Sequence, residues 1–182
     1  MIYRETALEG AMILEPQLFN DERGYFMETF RSDDFKSHCA DVDFVQDNQS
    51  SSVKGILRGL HYQVNKPQGK LVRVISGEVF DVAVDLRRSS KTFGQWVGVY
   101  LSAENKRQFW IPEGFAHGFL VTSDRAEFVY KCTNYYSPTD ERGVAWNCPE
   151  VDIDWPLDDI IAPVLSAKDS CSCRLSQAEV FK

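Results

Sequence analysis

The sequence predicts an all-β fold, a β-sandwich or barrel with a few short helices. Short segments with strand character recur from residue 11 to about residue 135, and Gly, Pro, Asn and Asp separate most of them. A series of short strands with turn residues between them is typical of double-sheet and barrel folds. The length of 182 residues is that of one domain, and no linker or repeat divides the chain. We therefore expect one domain over residues 1–182.

Nine segments carry the strand signal, because they are rich in the β-branched and aromatic residues that strands favour. One early segment, SDDFKSHC at 32, predicts a helix instead, since Ser32 can cap its N-terminus and Asp33 and Asp34 suit its positive end. A second short helix is expected near the C-terminus. The predicted strands are AMIL at 11, YFMETF at 25, GILRGLHYQ at 55, LVRVIS at 71, EVFDVAVDL at 78, QWVGVYL at 95, RQFWIP at 107, HGFLV at 117 and AEFVYKCTN at 126.

Alternation within two of these strands predicts which way their side chains face. Over residues 78–86 the apolar side chains share one parity, while Asp81 and Asp85 point the other way. Over residues 126–134, Tyr130 shares its parity with the apolar side chains. Tyr130 is therefore predicted to face the barrel interior.

Composition and charge narrow the functional classes. A net charge of -7 and a pI near 5.0 argue against a nucleic-acid polymer as partner, since such a partner normally requires a basic face. The opening residues, MIYRETALEG, carry charge and lack the apolar core of a signal peptide, and no run of about 18 apolar residues could cross a bilayer. The cysteines form an odd set without C-x-x-C spacing, which indicates reduced thiols. A cytoplasmic location without membrane contact is expected.

Two histidine motifs lie on predicted strands. IPEGFAHGF contains P-x-G-x-x-H, formed by Pro112, Gly114 and His117, and resembles the second motif of the cupin β-barrel. The segment GLHYQVNKPQGKLVRVISGEV resembles the first cupin motif and supplies its histidine, His61, and its glycine turn, Gly77. The resemblance implies a jelly-roll barrel of the cupin type.

The first motif lacks most of the usual metal ligands. Cupins usually offer H-x-H and then a glutamate at this place, but Gln63 replaces the second histidine, and no Asp or Glu lies between His61 and Gly77. A site with only His61 and His117 is short of the ligands that zinc or ferrous iron requires. We therefore predict neither a metal nor another cofactor. A metal-dependent cupin, with a carboxylate brought from elsewhere in the chain, remains the alternative.

His61 is the candidate general base. A neutral imidazole, with an ordinary pKa of about 6.5, can take a proton near neutral pH. Arg58 and Lys70 lie near His61 in the sequence. Cations can hold the enolate oxygen that forms when a proton leaves the carbon beside a ketone. Strand parity puts Arg58 on the face opposite His61. Both can reach one pocket only if Gly59 marks a bulge or the strand begins late.

Structural roles are the alternatives for the other candidates. Tyr130 fits equally well as a core aromatic whose hydroxyl finds a partner. His38, on the predicted exposed helix, is interpreted as a surface residue without a catalytic role.

Beyond the histidine motifs, a long set of stretches resembles the dTDP-4-dehydrorhamnose 3,5-epimerase family. The stretches run in the family's order from about residue 15 to residue 169, which makes the resemblance far more specific than one motif. It implies an isomerase that converts dTDP-4-dehydro-6-deoxy-D-glucose to dTDP-4-dehydro-L-rhamnose by removing and returning a proton at C3 and at C5. The matching stretches are DERGYFMETF, FVQDNQSSSVKGILRGLHYQ, QGKLVRVISGEVFDVAVDLRRSS, FWIPEGFAHGF, YKCTNYYSPTDERGVAWN, IDWPL and LSAKD.

The resemblance also implies four catalytic residues. His61 would accept the proton, and Asp169 would hydrogen-bond its ring and set its tautomer. Lys70 would stabilise the enolate oxygen that forms from the C4 ketone. Tyr130 would deliver a proton to the opposite face of the sugar, which inverts the carbon.

The substrate contacts that the resemblance implies include several cations, which suit a diphosphate. Tyr136 is expected to stack on the thymine ring. Members of the family are homodimers, and the segment from Arg23 to Glu28 is expected to reach the neighbouring subunit's pocket, so that active sites would be shared. The full set of expected contacts is Arg23, Glu28, Gln46, Asp47, Asn48, Arg58, Lys70, His117, Tyr136, Glu141 and Lys168.

Two further functions stay open from the sequence. Close relatives in antibiotic-sugar pathways act at C3 only or at C5 only with the same histidine and tyrosine. A non-catalytic sugar-binding cupin would need the pocket but neither the acid nor the base.

Overall fold

The computed structural model describes residues 1–158 and 160–182, which form two stacked sheets, a separate hairpin and short helices. The strands are β1 (Ile2–Glu5), β2 (Met12–Glu15), β3 (Phe19–Asp21), β4 (Gly24–Phe26), β5 (Gln46–Val53), β6 (Leu57–Gln63), β7 (Lys70–Ser76), β8 (Glu78–Asp85), β9 (Trp96–Ser102), β10 (Gln108–Ile111), β11 (Phe115–Val121), β12 (Arg125–Cys132) and β13 (Glu141–Gly143). The helices are α1 (Ser32–His38), α2 (Ala167–Ser170) and a 3-10 turn at Leu175–Gln177.

The two main sheets are antiparallel and interleaved in sequence. The six-stranded sheet has the order β1-β2-β10-β7-β12-β5, and the five-stranded sheet has the order β13-β6-β11-β8-β9. The chain therefore crosses repeatedly from one sheet to the other, as it does in a jelly roll. The predicted all-β, jelly-roll class is confirmed, and β3 and β4 form a hairpin of their own.

The main core lies between the two sheets. Val72 and Phe128 of the six-stranded sheet meet Val79 and Phe119 of the five-stranded sheet in one buried cluster. Burial of this apolar surface holds the sheets face to face. Tyr130 packs against the cluster, so its predicted direction, towards the barrel interior, is confirmed.

Both faces of β8 are buried, and they are buried by different parts of the chain. Phe80 and Val82 pack outward against the C-terminal segment around Trp155. Asp81 points inward, beside Val79 of the main core, and is 0% exposed. The predicted alternation is therefore present, and the face that carries the carboxylate is the interior one.

The helix predicted at 32 is present as α1, but its cap differs from the prediction. Ser32 is the first helical residue, and the N-cap is Arg31, which makes no side-chain capping hydrogen bond. The prediction of a Ser32 cap is therefore wrong. Packing holds this short helix in place instead, because Phe35 is buried in a cluster with Trp110 on the outer face of the six-stranded sheet. The second predicted helix corresponds to α2.

Four strands were not predicted, and β5 is the longest of them. Its sequence, QDNQSSSV, has no apolar face, yet it pairs with β12 along its whole length. β5 forms one edge of the six-stranded sheet, where its backbone is paired on one side. β5 lacks an apolar face because one of its faces lines a polar cavity.

The pairing of β6 with β11 is irregular at Gly59, where the sequence predicts a bulge if Arg58 and His61 share a pocket. The register with β11 pairs His61 with His117 and then shifts, so that Arg58 pairs with Phe119. Gly59 has a φ of +134°, and a Cβ there would lie 2.5 Å from the Cα of Gly118. Only glycines allow the two strands to approach so closely with that backbone. The irregularity lets Arg58 and His61 reach the same side of the sheet.

Candidate active site

A cavity of about 570 Å³ opens into the barrel between the two sheets. His61 and His117 come from the five-stranded sheet, and Lys70 and Tyr130 come from the six-stranded sheet facing it. Two imidazole rings therefore face an amine and a phenol across the cavity. The predicted site residues that line it are Gln46, Asn48, Arg58, His61, Lys70, His117, Tyr130, Tyr136, Glu141, Lys168 and Asp169.

His61 is held by a carboxylate that is itself held by a serine. The Nε2 atom of His61 forms a hydrogen bond with Oδ1 of Asp169, which lies 108 residues further along the chain. The Ser166 hydroxyl donates to the other carboxylate oxygen at 2.8 Å, and Ser166 also caps α2 by accepting from the Asp169 backbone N–H. Both oxygens of Asp169 are thus engaged, which fixes the plane of the carboxylate and the tilt of the imidazole.

The environment keeps Asp169 ionised. Burial opposes its ionisation, but the hydrogen bonds from His61 and Ser166 outweigh burial and hold the pKa of Asp169 below its usual range. An ionised carboxylate accepts the Nε2 proton of His61 and leaves Nδ1 with its lone pair. Since the His61 side chain is 24% exposed and lines the cavity, that lone pair is available to a ligand.

A second histidine–carboxylate pair lies deeper in the barrel. The Nε2 atom of His117 donates to both oxygens of Asp81 at 3.0 Å, and Asp81 has no exposed surface. Burial raises the pKa of Asp81 and lowers that of His117, although their hydrogen bond opposes both shifts. Unlike His61, His117 is only 7% exposed, so its ring is closed off from solvent on most sides.

Lys70 is a buried cation that faces the cavity. Its side chain is among the buried polar groups, and burial lowers its pKa while the nearby charge of Asp81 raises it. The ammonium group has no hydrogen-bond partner among the described residues. An ammonium group with free N–H bonds in a poorly solvated cavity is well suited to stabilise an oxygen that becomes negative.

Tyr130 lies on the wall opposite His61. It projects from β12, next to the polar strand β5, where it pairs with Asn48. Burial raises the pKa of its hydroxyl, so the phenol keeps its proton at neutral pH. In the part of the chain that the structure describes, the hydroxyl has no hydrogen-bond partner. It is therefore free to donate a proton into the cavity.

The mouth of the cavity carries a polar network around Tyr136. The hydroxyl of Tyr136 donates to Glu141 at 2.7 Å, and Lys168 donates to the other oxygen of Glu141 at 2.6 Å. The Gln46 side chain accepts from the backbone N–H of Tyr136 at 2.9 Å. Tyr136 is nevertheless 51% exposed, which leaves a face of its ring open to a planar ligand.

Arg58 reaches the cavity, as the irregularity at Gly59 requires. Its guanidinium donates to the Ser52 hydroxyl of β5 at 3.1 and 3.2 Å, and so links the two sheets. Arg58 is one of the residues that line the cavity, and a guanidinium group there can bind an anion.

Three of the predicted contacts do not line this cavity. The Asp47 side chain lies on the opposite face of β5 and pairs with Lys131 at 3.0 Å, because alternate side chains of a strand point to opposite faces. Arg23 lies in the exposed β3–β4 hairpin and pairs with Asp21, and Glu28 lies nearest to Arg31, at 3.8 Å. A contact between Asp47 and the substrate stays a prediction.

The sequence did not single out two residues that support the histidines, Ser166 and Asp81. The spacing S-x-x-D at Ser166–Asp169 is a helix-capping pattern, and it could have identified the serine. Asp81 was noted only for its parity. Asp81 could have been identified because it is an acidic residue between apolar neighbours in a predicted strand. A carboxylate in such a strand is expected to be buried, and a buried carboxylate needs a partner.

Gln63 occupies the second ligand position of the first cupin motif, and its side chain forms hydrogen bonds with backbone groups. Its amide nitrogen donates to the carbonyl oxygens of Lys66 and Tyr135, and its oxygen accepts from the N–H of Ser137. Among residues 1–158 and 160–182, no three His, Cys, Asp or Glu side chains are grouped as metal ligands. In the same residues, no helix is long and apolar enough to cross a membrane.

An imidazole that is open to the cavity on one wall and a protonated phenol on the other are the kinds of group that acid–base isomerisation requires. Together with the double-sheet barrel, they define the class of the protein as a cupin-type isomerase.

The particular family follows from comparison with known proteins. The family model described as dTDP-4-dehydrorhamnose 3,5-epimerase matches residues 5–177. The chain belongs to this family, and the predicted membership is confirmed. The members are isomerases that act on nucleotide sugars.

Three relatives illustrate the similarity. The dTDP-4-dehydrorhamnose 3,5-epimerase of Neisseria gonorrhoeae is 58% identical over 96% of this chain, which spans only 53% of that relative's length. The Pseudomonas aeruginosa enzyme of the same name is 56% identical, and 96% of each chain is covered. A crystal structure of the Legionella pneumophila dTDP-6-deoxy-D-glucose-3,5-epimerase in complex with dTDP-4-keto-L-rhamnose has a TM-score of 0.96 and 50% identity, and covers 100% of this chain and 97% of that one.

Proposed function

We propose that this chain epimerises dTDP-4-dehydro-6-deoxy-D-glucose at C3 and C5, with His61 as the base and Tyr130 as the acid. The observation that supports this most is that His61 and Tyr130 face one cavity from opposite sheets, with the cation Lys70 beside it. Inversion at a carbon requires a proton to leave one face and another to arrive at the opposite face. A base and an acid on facing walls meet that requirement without any movement of the sugar between the two steps.

The proton balance of one epimerisation is simple. Nδ1 of His61 takes the proton from C3 or C5, and the electrons of that C–H bond move to the C4 carbonyl oxygen, which becomes an enolate. Lys70 donates a hydrogen bond to the enolate oxygen. The carbon then takes a proton from the hydroxyl of Tyr130 on the other face, the ketone reforms, and solvent returns the proton to Tyr130 and removes the one on His61.

The nucleotide part of the substrate fits the mouth of the cavity. Arg58 and Lys168 supply cations for the diphosphate, and the open face of Tyr136 supplies a surface on which thymine can stack. The bound dTDP-4-keto-L-rhamnose of the Legionella relative supports a substrate of this type. We therefore extend the proposal to a dTDP-linked 4-keto-6-deoxy sugar, and not to a free sugar.

Turnover of dTDP-4-dehydro-6-deoxy-D-glucose in D2O tests the activity directly. Because each epimerisation replaces a carbon-bound proton with one from solvent, we expect deuterium at both C3 and C5 and conversion to the L-configured product. Proton NMR of the mixture measures both.

Other outcomes of that experiment would exclude the proposal in different ways. Deuterium at only one carbon would identify a C3-only or C5-only epimerase. No deuterium at either carbon would exclude epimerase activity and favour a non-catalytic sugar-binding protein. In the same assay repeated with a chelator, activity that is lost and then restored by a metal ion would identify a metal-dependent cupin instead.

We further propose that the protein is a homodimer with shared active sites, located in the cytoplasm. The β3–β4 hairpin supports the dimer, because Phe19, Tyr25 and Phe26 are 55%, 53% and 70% exposed, and such an apolar surface is typical of an interface. Arg23 lies in the same hairpin with a 90% exposed side chain, and can reach a neighbouring cavity in place of its own. Five free cysteines support a reducing compartment.

Mixing two inactive variants tests whether sites are shared. Subunits with Arg23→Ala and subunits with His61→Asn should each be nearly inactive alone. In a mixed dimer, one site combines an intact His61 with an intact Arg23, so random mixing should restore about a quarter of the wild-type activity. Co-expression with two different affinity tags isolates the mixed dimer for assay. No restored activity in that dimer would show that Arg23 does not act across subunits.

A further inference from the structure

We infer that Gln63 is a positioning residue for nucleotide binding, which holds the loop 134–137 so that Tyr136 is presented to the base before the ligand arrives. This inference rests on the proposed function, in which Tyr136 stacks on thymine. Gln63 stands two residues after His61 on β6, where metal-binding cupins place their second histidine ligand. In this protein the side chain instead forms hydrogen bonds with the backbone of two loops.

Two of the three hydrogen bonds of Gln63 are made to the residues that precede and follow Tyr136 in the sequence. Its amide nitrogen donates to the carbonyl oxygen of Tyr135 at 3.2 Å, and its amide oxygen accepts from the N–H of Ser137 at 2.8 Å. A further hydrogen bond to the carbonyl oxygen of Lys66, at 2.6 Å, anchors the same nitrogen to the loop after β6. The residues on both sides of Tyr136 are thereby fixed to the strand that carries His61.

Two other glutamines complete the attachment of this loop. Gln68 donates to the carbonyl oxygen of Asn134 at 2.7 Å, and Gln46 accepts from the N–H of Tyr136 at 2.9 Å. Four of the eight backbone N–H and C=O groups of this four-residue loop therefore bind side chains from β5, β6 and the loop after β6. Gln63 is the most deeply placed of the three, at 3% exposed.

Because Gln63 is buried, its amide group depends on the loop 134–137 for hydrogen-bond partners. A buried amide must satisfy both its donor and its acceptor groups, and the loop 134–137 supplies one partner of each type. Tyr136 itself remains 51% exposed, so packing alone does not hold its ring. An exposed ring on a loose loop would have to be ordered when the nucleotide binds, and that ordering weakens binding. Holding the loop beforehand removes this cost from the binding step.

The test measures binding of dTDP alone to Gln63→Met, a variant of similar size that cannot form the three hydrogen bonds. We expect the Kd for dTDP to rise about ten-fold, and the KM for the dTDP-sugar to rise in parallel, because preorganisation is lost. The value of kcat at saturation should change less than three-fold, since His61, Lys70 and Tyr130 are untouched. Gln177→Met, in the C-terminal 3-10 turn, is the matched control and should leave Kd unchanged.

A double-mutant cycle with Tyr136→Ala separates positioning from a general structural effect. If Gln63 acts through Tyr136, the Gln63→Met substitution should weaken dTDP binding much less when Tyr136 is already alanine. Equal losses in both backgrounds, or a Kd for Gln63→Met within two-fold of wild type, would overturn the inference. Should Gln63→Met fail to fold, Gln63→Asn replaces it, because the shorter amide stays polar but cannot span the same partners, and the same shifts are expected.

The outcome distinguishes this inference from the proposed function. If Tyr136→Ala itself binds dTDP as well as wild type, the stacking role fails and the inference fails with it. If Tyr136→Ala weakens binding and Gln63→Met does not, only the role of Gln63 is wrong. The dTDP titration requires no turnover, so the epimerase activity is tested separately by deuterium incorporation.

Discussion

Replacing His61 by asparagine is expected to lower kcat/KM by roughly 10³ to 10⁴-fold, because it removes the group that we propose takes the sugar proton. Asparagine keeps a polar side chain at this position but is too short to reproduce the Nε2 hydrogen bond to Asp169. The base is required before any other step. Incorporation of deuterium at C3 and at C5 should therefore fall together with product formation, and proton NMR in D2O measures both.

His38 provides the matched control for this substitution. It lies on α1, where its ring stacks on Tyr3 with centroids 5.4 Å apart, and it does not line the cavity. His38→Asn should leave kcat/KM within two-fold of wild type. If His61→Asn retained more than a tenth of the wild-type exchange at either carbon, another residue would have to be the base at that carbon. The buried pair of His117 and Asp81 would then be the first candidate.

The apolar pattern of the sequence was sufficient for most of the fold. Strands such as β8 and β12 alternate clearly, and the direction of Tyr130 followed from parity alone. β5 was missed because its inward residues Gln46 and Asn48 line a polar cavity and its outward residues are polar as well. Period-2 hydrophobicity identifies a strand through the core that it covers, so a strand that covers a substrate cavity gives no such signal.

The site was predictable where a short motif carried it, and unpredictable where the fold brought distant residues together. His61 and His117 stand in recognisable motifs, and the register of β6 against β11 places them side by side. The link from His61 to Asp169 spans 108 residues, and no local pattern contains it. It became an expectation only through the family resemblance. The contacts of Gln63 are equally non-local, since the partners Tyr135 and Ser137 lie more than 70 residues away.

The two histidine–carboxylate pairs show why residue type alone could not assign the base. Both imidazoles bind a buried aspartate through Nε2. Asp169 also accepts from Ser166 and keeps a lowered pKa, whereas burial raises the pKa of Asp81. The two pairs differ most in access, because the His61 side chain is 24% exposed whereas His117 is only 7% exposed. Burial and hydrogen bonding decide between two similar motifs, and neither is visible in the sequence.

Replacing Tyr130 by phenylalanine is expected to lower the rate of epimerisation by roughly 10² to 10³-fold while proton removal continues. The substitution deletes one hydroxyl that has no partner among the described residues, so the free energy of unfolding should stay nearly constant. Without the acid, the enolate forms at His61 and mostly takes its proton back on the face from which it left. Tyr100→Phe, on the edge strand β9 away from the cavity, is the control and should behave as wild type.

The informative quantity is the ratio of exchange to inversion. In wild type, a proton delivered by Tyr130 makes inversion compete well with return from His61. In Tyr130→Phe, return dominates, and exchange of the His61 proton with solvent during the lifetime of the enolate labels recovered substrate with deuterium. NMR of that substrate after partial reaction in D2O should therefore show more label per molecule of product than wild type does. If exchange and inversion fell by the same factor, Tyr130 would be needed to form the enolate, and a separate acid on the far wall would have to be sought among the side chains of β5 and β12.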